Sequence, residues 1–285
     1  MQPTYLAYAD IHLLEAYDMP LIDAAFKSIC NDWAIEFGFP HGGCQQRAQI
    51  MSMILQKKFN IKHCKVWLFA PAALYLNDAT MIYREDDKKL SPNGLLEWSY
   101  HVAPVVQVKL NGHIETYVID PAINNQNPLH LQDWFNALNN SHKCKYCFML
   151  PDKYFFNSSY HTGENNDVTM LFDGSFFNYE NPAKDNLAVE KGLAIQDMVK
   201  VIHDKYMLPL FNSHNEADAA KLLDLKDVFG NATALDMLFS QNISGYSSNT
   251  TMRYVVSNHY EIIDGAKKLF NERLLYWTGV VNGLL

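Results

Sequence analysis

An α+β fold with a helical C-terminal third is predicted from three features of the 285-residue chain. Two early segments carry apolar residues at helical spacing, several runs between residues 64 and 120 read as strands, and the residues after about 184 combine helical period with helix-favouring composition. Hydrophobic residues make up 48% of the chain and charged ones 19%, enough for a sizeable core. The formal net charge of −8 comes with no dense Lys/Arg stripe, so no nucleic-acid partner is expected. The longest late apolar run, "LLYWTGVVNGLL", is too short to span a bilayer. Five cysteines are an odd number for a disulfide framework, and the first thirty residues lack the basic start and apolar run of a secretory signal. A soluble protein with mostly free thiols is the expectation.

Taken in order, Asp18-Met19-Pro20 opens a helix in which Ile22, Ala25, Phe26, Ile29 and Trp33 share a stripe. The spacing carries this helix to near Gly38. A second begins beyond "FPHGG", with Cys44, Ala48, Met51 and Leu55 on one stripe and Lys57-Lys58 near its end, where cations suit the helix dipole. "CKVWLFA" (64–70) reads as a strand, and 71–98, with "REDDKK" and "SPNG", as a solvated loop. "HVAPVVQVKL" and "HIETYVID" flank Asn111-Gly112, the strongest short-range hairpin signal in the chain. Residues 151–184, rich in Asn, Ser and aromatics, read as strands or linker and lead to a boundary near 184. "LAVEKGLAIQDMVKVIHDKYM", "NEADAAKLLDLKDVFG" and "NHYEIIDGAKKLFNERLLYW" then read as helices.

If Asn111-Gly112 is a two-residue turn, directly opposed residues have numbers summing to 223, so Ala103 faces Asp120. His101 and Asp120 then share a face as diagonal neighbours, about 7–8 Å apart at the backbone. Pro104 warns of an edge or a bulge, which would flip the parity. Cys44 at a helix N-terminus, where the helix field favours a thiolate, completes a nucleophile, base and orienting carboxylate. Free N–H groups at that terminus suit a developing oxyanion, and Gly43 permits close approach of a substrate backbone. The same residues fit a buried structural cysteine and a strand histidine, and spacing alone does not separate the two readings.

Other candidates are weaker. His142, Cys144 and Cys147 have metal-type spacing, but no second Cys/His pair completes a tetrahedral set, so neither metal nor cofactor is expected. Trp98, Tyr100 and Asp133-Trp134-Phe135 are candidates to line a substrate groove, with core packing the default. His41 reads as a loop residue.

"GGCQQRAQIM" (42–51), "WSYHVAPVVQVK" (98–109) and "VIDPAINNQNP" (118–128) together resemble the protein-glutaminase family of protein-glutamine deamidases, relatives of papain and transglutaminases. The resemblance spans about residues 38–130. It implies a papain/transglutaminase-like core in which a helix carries the cysteine and an antiparallel sheet carries the histidine and aspartate, followed by an α-helical C-terminal domain. Cys44 falls on the family's nucleophile, His101 on its general base and Asp120 on its orienting carboxylate. Residues 1–184 are then the catalytic domain and 185–285 a helical domain suited to substrate recruitment. The substrate implied is a protein with an accessible glutamine, deamidated to glutamate with release of ammonia, and no cofactor takes part. Transglutaminase, cysteine protease and a non-enzymatic interaction module are the alternatives. The resemblance, with no visible secretory signal, leads to the expectation of a cytoplasmic enzyme or an effector delivered into a host cell.

Overall fold

A computed structural model describes residues 5–7, 9–39, 42–75, 77–86, 91, 94–156, 160–162, 168–170, 176–178, 188–211, 213–239 and 249–285. His41 and the boundary near 184 lie outside the described residues. After two short strands, β1 (Tyr5–Ala7) and β2 (Ala16–Asp18), α1 spans Met19–Asn31 with Pro20 in its first turn. It buries Ile22, Ala25, Phe26 and Ile29 as the spacing predicts, but ends well short of Gly38. The cause is local: the Asp32 N–H closes the last turn on the Ser28 carbonyl, and Ala34 adopts φ 52°, which no α-helix accommodates. Trp33 therefore lies beyond the helix.

The second helix, α2 (Cys44–Phe59), starts and stops where expected, with Lys57 and Lys58 in its last turn. It is buried all round from Gln46 to Leu55 rather than on one stripe, because both the sheet and the C-terminal helices press on it. Next come β3 (Cys64–Phe69), α3 (Pro71–Leu74), β4 (Ile82–Glu85) and β5 (Leu95–Trp98). The stretch read as a loop thus holds an antiparallel strand pair. Ile82 and Trp98 face each other in it and are both buried, so two apolar anchors outweigh the charged sequence between them.

Strand β6 (Tyr100–Leu110) turns through Asn111 (φ 49°) and Gly112 (φ 83°) into β7 (His113–Val118). Positive φ at both turn residues is the geometry that a two-residue hairpin needs. The pairs run from Leu110↔His113 to Val105↔Val118, so the predicted register holds without a bulge. The Ile119 N–H still donates to the Pro104 carbonyl at 2.9 Å, but Pro104 has no N–H to return the bond, and β7 leaves the ladder there. After β8 (Leu129–His130), α4 (Leu131–Asn136) and β9 (Lys145–Met149), the sheet reads β1-β9-β3-β6-β7-β8, with β2 also paired to β6.

Its central pairings are antiparallel as expected, whereas β1 joins β9 and β2 joins β6 in parallel. Strands of three residues carry no alternation by which a sequence reading could find them. The short strands β10 (Lys153–Phe156), β11 (Tyr160–Thr162), β12 (Val168–Met170) and β13 (Phe176–Asn178) form two small antiparallel pairs. Buried Lys65 of β3 ties this part to α2, its Nζ donating to the Gln49 side chain and to the Lys153 carbonyl.

Helix α5 (Val189–Ile202) continues through one π-helical turn into α6 (Leu208–Phe211). It is followed by α7 (Glu216–Phe229), α8 (Ala232–Phe239), a helix over Thr250–Asn258 and the C-terminal helix Tyr260–Leu284. Leu193, Met198, Val199 and Ile202 of α5 lie in one buried cluster with Ile22 and Phe26 of α1, Ile50 and Ile54 of α2, and Val106 and Val108 of β6. The helical end and the α2 face of the sheet therefore share a core. A second cluster covers the opposite sheet face, joining Val66, Leu68, Ala103, Val105 and Val118 to Trp134 of α4. Among the described residues no helix is long and apolar enough to cross a membrane.

Candidate active site

Gly43 stands just before α2 with φ 76°, a left-handed conformation that seats the chain reversal and leaves Cys44 as the first helical residue. Cys44 is buried in an apolar cluster with Ala48, Trp67, Phe69 and Val102, and Tyr100 packs against it. Its thiol reaches the Gln45 Oε1 at 3.5 Å. Tyr100 itself stacks over Trp67, with ring centroids 5.7 Å apart. Burial, with the nearby Cys44 and Tyr154 adding to it, pushes the Tyr100 phenol well above its ordinary range.

His101 projects from β6 and Asp120 from the turn after β7, so the sheet carries the histidine while the aspartate lies two residues past its strand. The register brings the two together as expected: His101 Nε2 is 2.8 Å from Asp120 Oδ2, both side chains buried. The same Oδ2 accepts the Trp134 Nε1–H at 2.8 Å. Two indoles lie against the imidazole, Trp134 at 5.7 Å and nearly parallel, Trp98 at 5.3 Å and tilted. Trp98 thereby serves as packing for His101. With Nε2 bound to Asp120, Nδ1 is the nitrogen left for the thiol, and among the described residues no other group takes it as a hydrogen-bond partner.

Desolvation is the largest influence on His101 and acts to lower its pKa. The charge and hydrogen bond of Asp120, with Cys44 adding to them, outweigh it and raise His101 to about 9. An imidazolium at neutral pH is the consequence. Burial likewise works against the Asp120 carboxylate, but His101, the Trp134 N–H and the charge of Arg47 together hold it below its ordinary value.

Arg47, one turn into α2, is buried and forms no ion pair among the described residues. Desolvation lowers its pKa against the opposing pull of Cys44, Asp120 and Glu36. Its Nη1 donates to the Gln196 Oε1 of α5 at 3.0 Å. Neither Arg47, Trp134 nor Gln196 was singled out for such a role by sequence reasoning. The sequence offers Trp134 only as a groove-lining or core aromatic, and a contact over 149 positions, as between Arg47 and Gln196, has no local spacing to reveal it.

The weaker candidates separate. Cys144 and Cys147 are buried in two different clusters, and no group of three His, Cys, Asp or Glu side chains able to hold a metal occurs among the described residues. Burial pushes both thiols up to about 12, which suits inert core cysteines.

The model of a family described as Glutaminase matches residues 22–138, about two-fifths of the chain, and that segment contains Cys44, His101 and Asp120. No curated protein matches the chain. The solved structure of protein-glutaminase from Chryseobacterium proteolyticum is 18% identical, with a TM-score of 0.44 over 66% of this chain and 89% of that one. A second protein-glutaminase structure is 20% identical at a TM-score of 0.44, over 66% and 91% of the two chains. A pro-protein-glutaminase is 17% identical at 0.43, over 68% and 61%.

Proposed function

We propose that this chain, a member of the glutaminase family through residues 22–138, is a cysteine-dependent protein-glutamine deamidase with Cys44 as nucleophile, His101 as acid and base, and Asp120 as the group that orients the imidazole. The observation that carries the reading is the His101 to Asp120 hydrogen bond on Nε2, which leaves Nδ1 to serve a thiol at the head of a helix. The core is then papain- and transglutaminase-like in its arrangement of helix-borne cysteine and strand-borne histidine.

In the first half-reaction the Cys44 thiolate attacks the side-chain carboxamide carbon of a glutamine on the substrate protein. The oxyanion that forms is met by backbone N–H groups at the α2 terminus. His101, held as imidazolium by Asp120, gives its Nδ1 proton to the departing nitrogen, so that ammonia leaves and a thioester remains. The neutral imidazole then takes a proton from water, whose oxygen attacks the thioester. Collapse of the second tetrahedral intermediate breaks the C–S bond, restores the thiolate and leaves glutamate. Each cycle consumes one water, releases one ammonia and converts a neutral amide into a carboxylate. Tyr100 and Gly43, beside Cys44, are the proposed contacts for the incoming side chain.

The test is incubation of a glutamine-rich unfolded protein with wild type and Cys44→Ala, followed by ammonia assay and peptide mass analysis. Ammonia release with Gln-to-Glu conversion by the wild type alone is expected. Equal release by both ends the reading, and crosslinked product when a primary amine is added shifts it to transglutamination.

A further inference from the structure

We propose that Gln196 of α5, far outside the family-matched segment, is a positioning residue of the active site that aims the buried Arg47 guanidinium at the anionic states of Cys44 and Asp120. The inference rests on the functional reading above and adds to it a contribution from the helical end.

Three observations meet here. The Gln196 Oε1 accepts from Arg47 Nη1 at 3.0 Å with both side chains buried, so the guanidinium is anchored by α5 rather than by its own helix. Gly43, directly before Cys44, makes room for this arrangement: a Cβ there would lie 2.3 Å from the Gln196 Nε2. One helical turn connects the two contacts, because the Arg47 N–H donates to the Gly43 carbonyl at 3.1 Å. Gly192, also on α5, lets the Gln46 side chain approach in the same manner, a Cβ there falling 2.4 Å from its Cγ. Helix α5 and the start of α2 are therefore fitted to each other through two glycines, Gly43 just ahead of α2 and Gly192 within α5.

The chemistry of the acceptor decides what the contact does. A carboxylate at position 196 would satisfy Arg47 equally well in hydrogen bonding but would cancel its charge. A carboxamide satisfies one N–H and leaves the full positive charge to act elsewhere. The anions on which it acts are Cys44 and Asp120, with half-buried Glu36 from the loop after α1. The other titratable groups around the thiol are His101 and Tyr100 of β6 and Tyr154 of β10, the last of which also feels Glu190 of α5. Arg47 is the cation among them that does not titrate near neutrality, so fixing its position fixes a constant part of the field at the nucleophile.

The experiment is a pH titration of the Cys44 thiolate by its ultraviolet absorbance, taken as the difference between each protein and its Cys44→Ala counterpart, in wild type, Gln196→Glu and Gln196→Met. Gln196→Glu keeps the shape and neutralises Arg47, so the midpoint moves up by about one pH unit, in line with a charge partner at close range. Gln196→Met fills the same space without an acceptor and moves the midpoint in the same direction by less. Folded variants whose titrations coincide with the wild type overturn the inference and leave Gln196 as packing. Should Gln196→Glu fail to fold, the uncharged Gln196→Met decides in the same way. Ammonia release, followed separately, keeps the two readings apart. A shifted thiolate in a protein that never releases ammonia sinks only the deamidase, and ammonia release with unshifted variants sinks only the role of Gln196.

Discussion

Two aspartates, one buried beside the sheet and one half-buried on α5, are held by the same device and differ in what the device serves. Asp120 accepts from the Trp134 indole and pairs with His101, all three around the sheet. Asp197 of α5 accepts from the Trp277 indole at 2.7 Å and from Arg273 Nε at 2.7 Å and Nη2 at 2.6 Å, both on the C-terminal helix. At Asp197 the cation is permanent and its guanidinium lies 4.3 Å over the Tyr276 ring, so the pair is a strut between two helices. At Asp120 the partner is an imidazole, which in the proposed reaction gains and loses its proton, and its second nitrogen has no hydrogen-bond partner among the described residues. On the proposed function, an indole and a carboxylate thus make either a brace or a relay, depending on whether the third member titrates.

The largest expected effects fall on the relay. Cys44→Ala and His101→Ala should each lower deamidation by about 10⁴-fold or more, as loss of a triad member does, while melting remains cooperative. Asp120→Asn should come next, at about 10³–10⁴-fold, because an amide can hold the wrong imidazole tautomer. Asp197→Asn, its counterpart, should leave turnover per folded molecule unchanged and cost about 1–3 kcal/mol of stability in a urea titration. Slower turnover in fully folded Asp197→Asn would erase the distinction between brace and relay.

Replacing the indoles sharpens the same contrast at smaller scale. Trp134→Phe removes one charge-assisted N–H from Asp120 and should reduce kcat about tenfold, from a loss of roughly 1.5 kcal/mol at the pair. Trp277→Phe removes the equivalent bond from Asp197 and should lower the melting temperature alone. A kcat unchanged in Trp134→Phe would show that His101 by itself holds Asp120 in place.

The relay was legible where local geometry controls it. Asn111-Gly112 permits one tight turn, the turn sets the register, and the register puts His101 and Asp120 on one face, so a few residues determine a contact between positions 19 apart. Cys44 was legible for a similar reason, since paired glycines ahead of an apolar period mark a helix start. The brace and the anchoring of Arg47 were not. They depend on how α5 and the C-terminal helix lie against α2, and the apolar stripe through Leu193 and Met198 announces only that α5 has a buried side. Asp197 and Gln196 are polar residues carried inward by that packing, and nothing in their neighbours distinguishes them from surface positions. The three-residue strands β1 and β2 escaped for want of any period at all.

The pH dependence of stability separates the two aspartates most finely. His101 has a folded pKa raised from 6.5 to about 9, so its pairing stabilises fully below 6.5 and the benefit is lost as pH rises through about 9. Asp120 is depressed below 3.8, so its contribution is present above 3.8 and lost as pH falls through the lower folded value. The stability advantage of wild type over Asp120→Asn should therefore be flat between 3.8 and 6.5 and decline on either side. Asp197 has the opposite sign: desolvation, its largest influence, raises its pKa above 3.8 despite Trp277 and Arg273. Ionising it costs the folded state, so wild type should lose ground to Asp197→Asn as pH rises from 3.8 through that raised value and then level off. Urea midpoints of the three proteins across the acid and alkaline ranges read both curves. An Asp120→Asn difference that stays flat from pH 6.5 to 9 would mean that His101 is neutral in the folded protein over that range, and the imidazolium assigned to the first half-reaction would have to come from elsewhere.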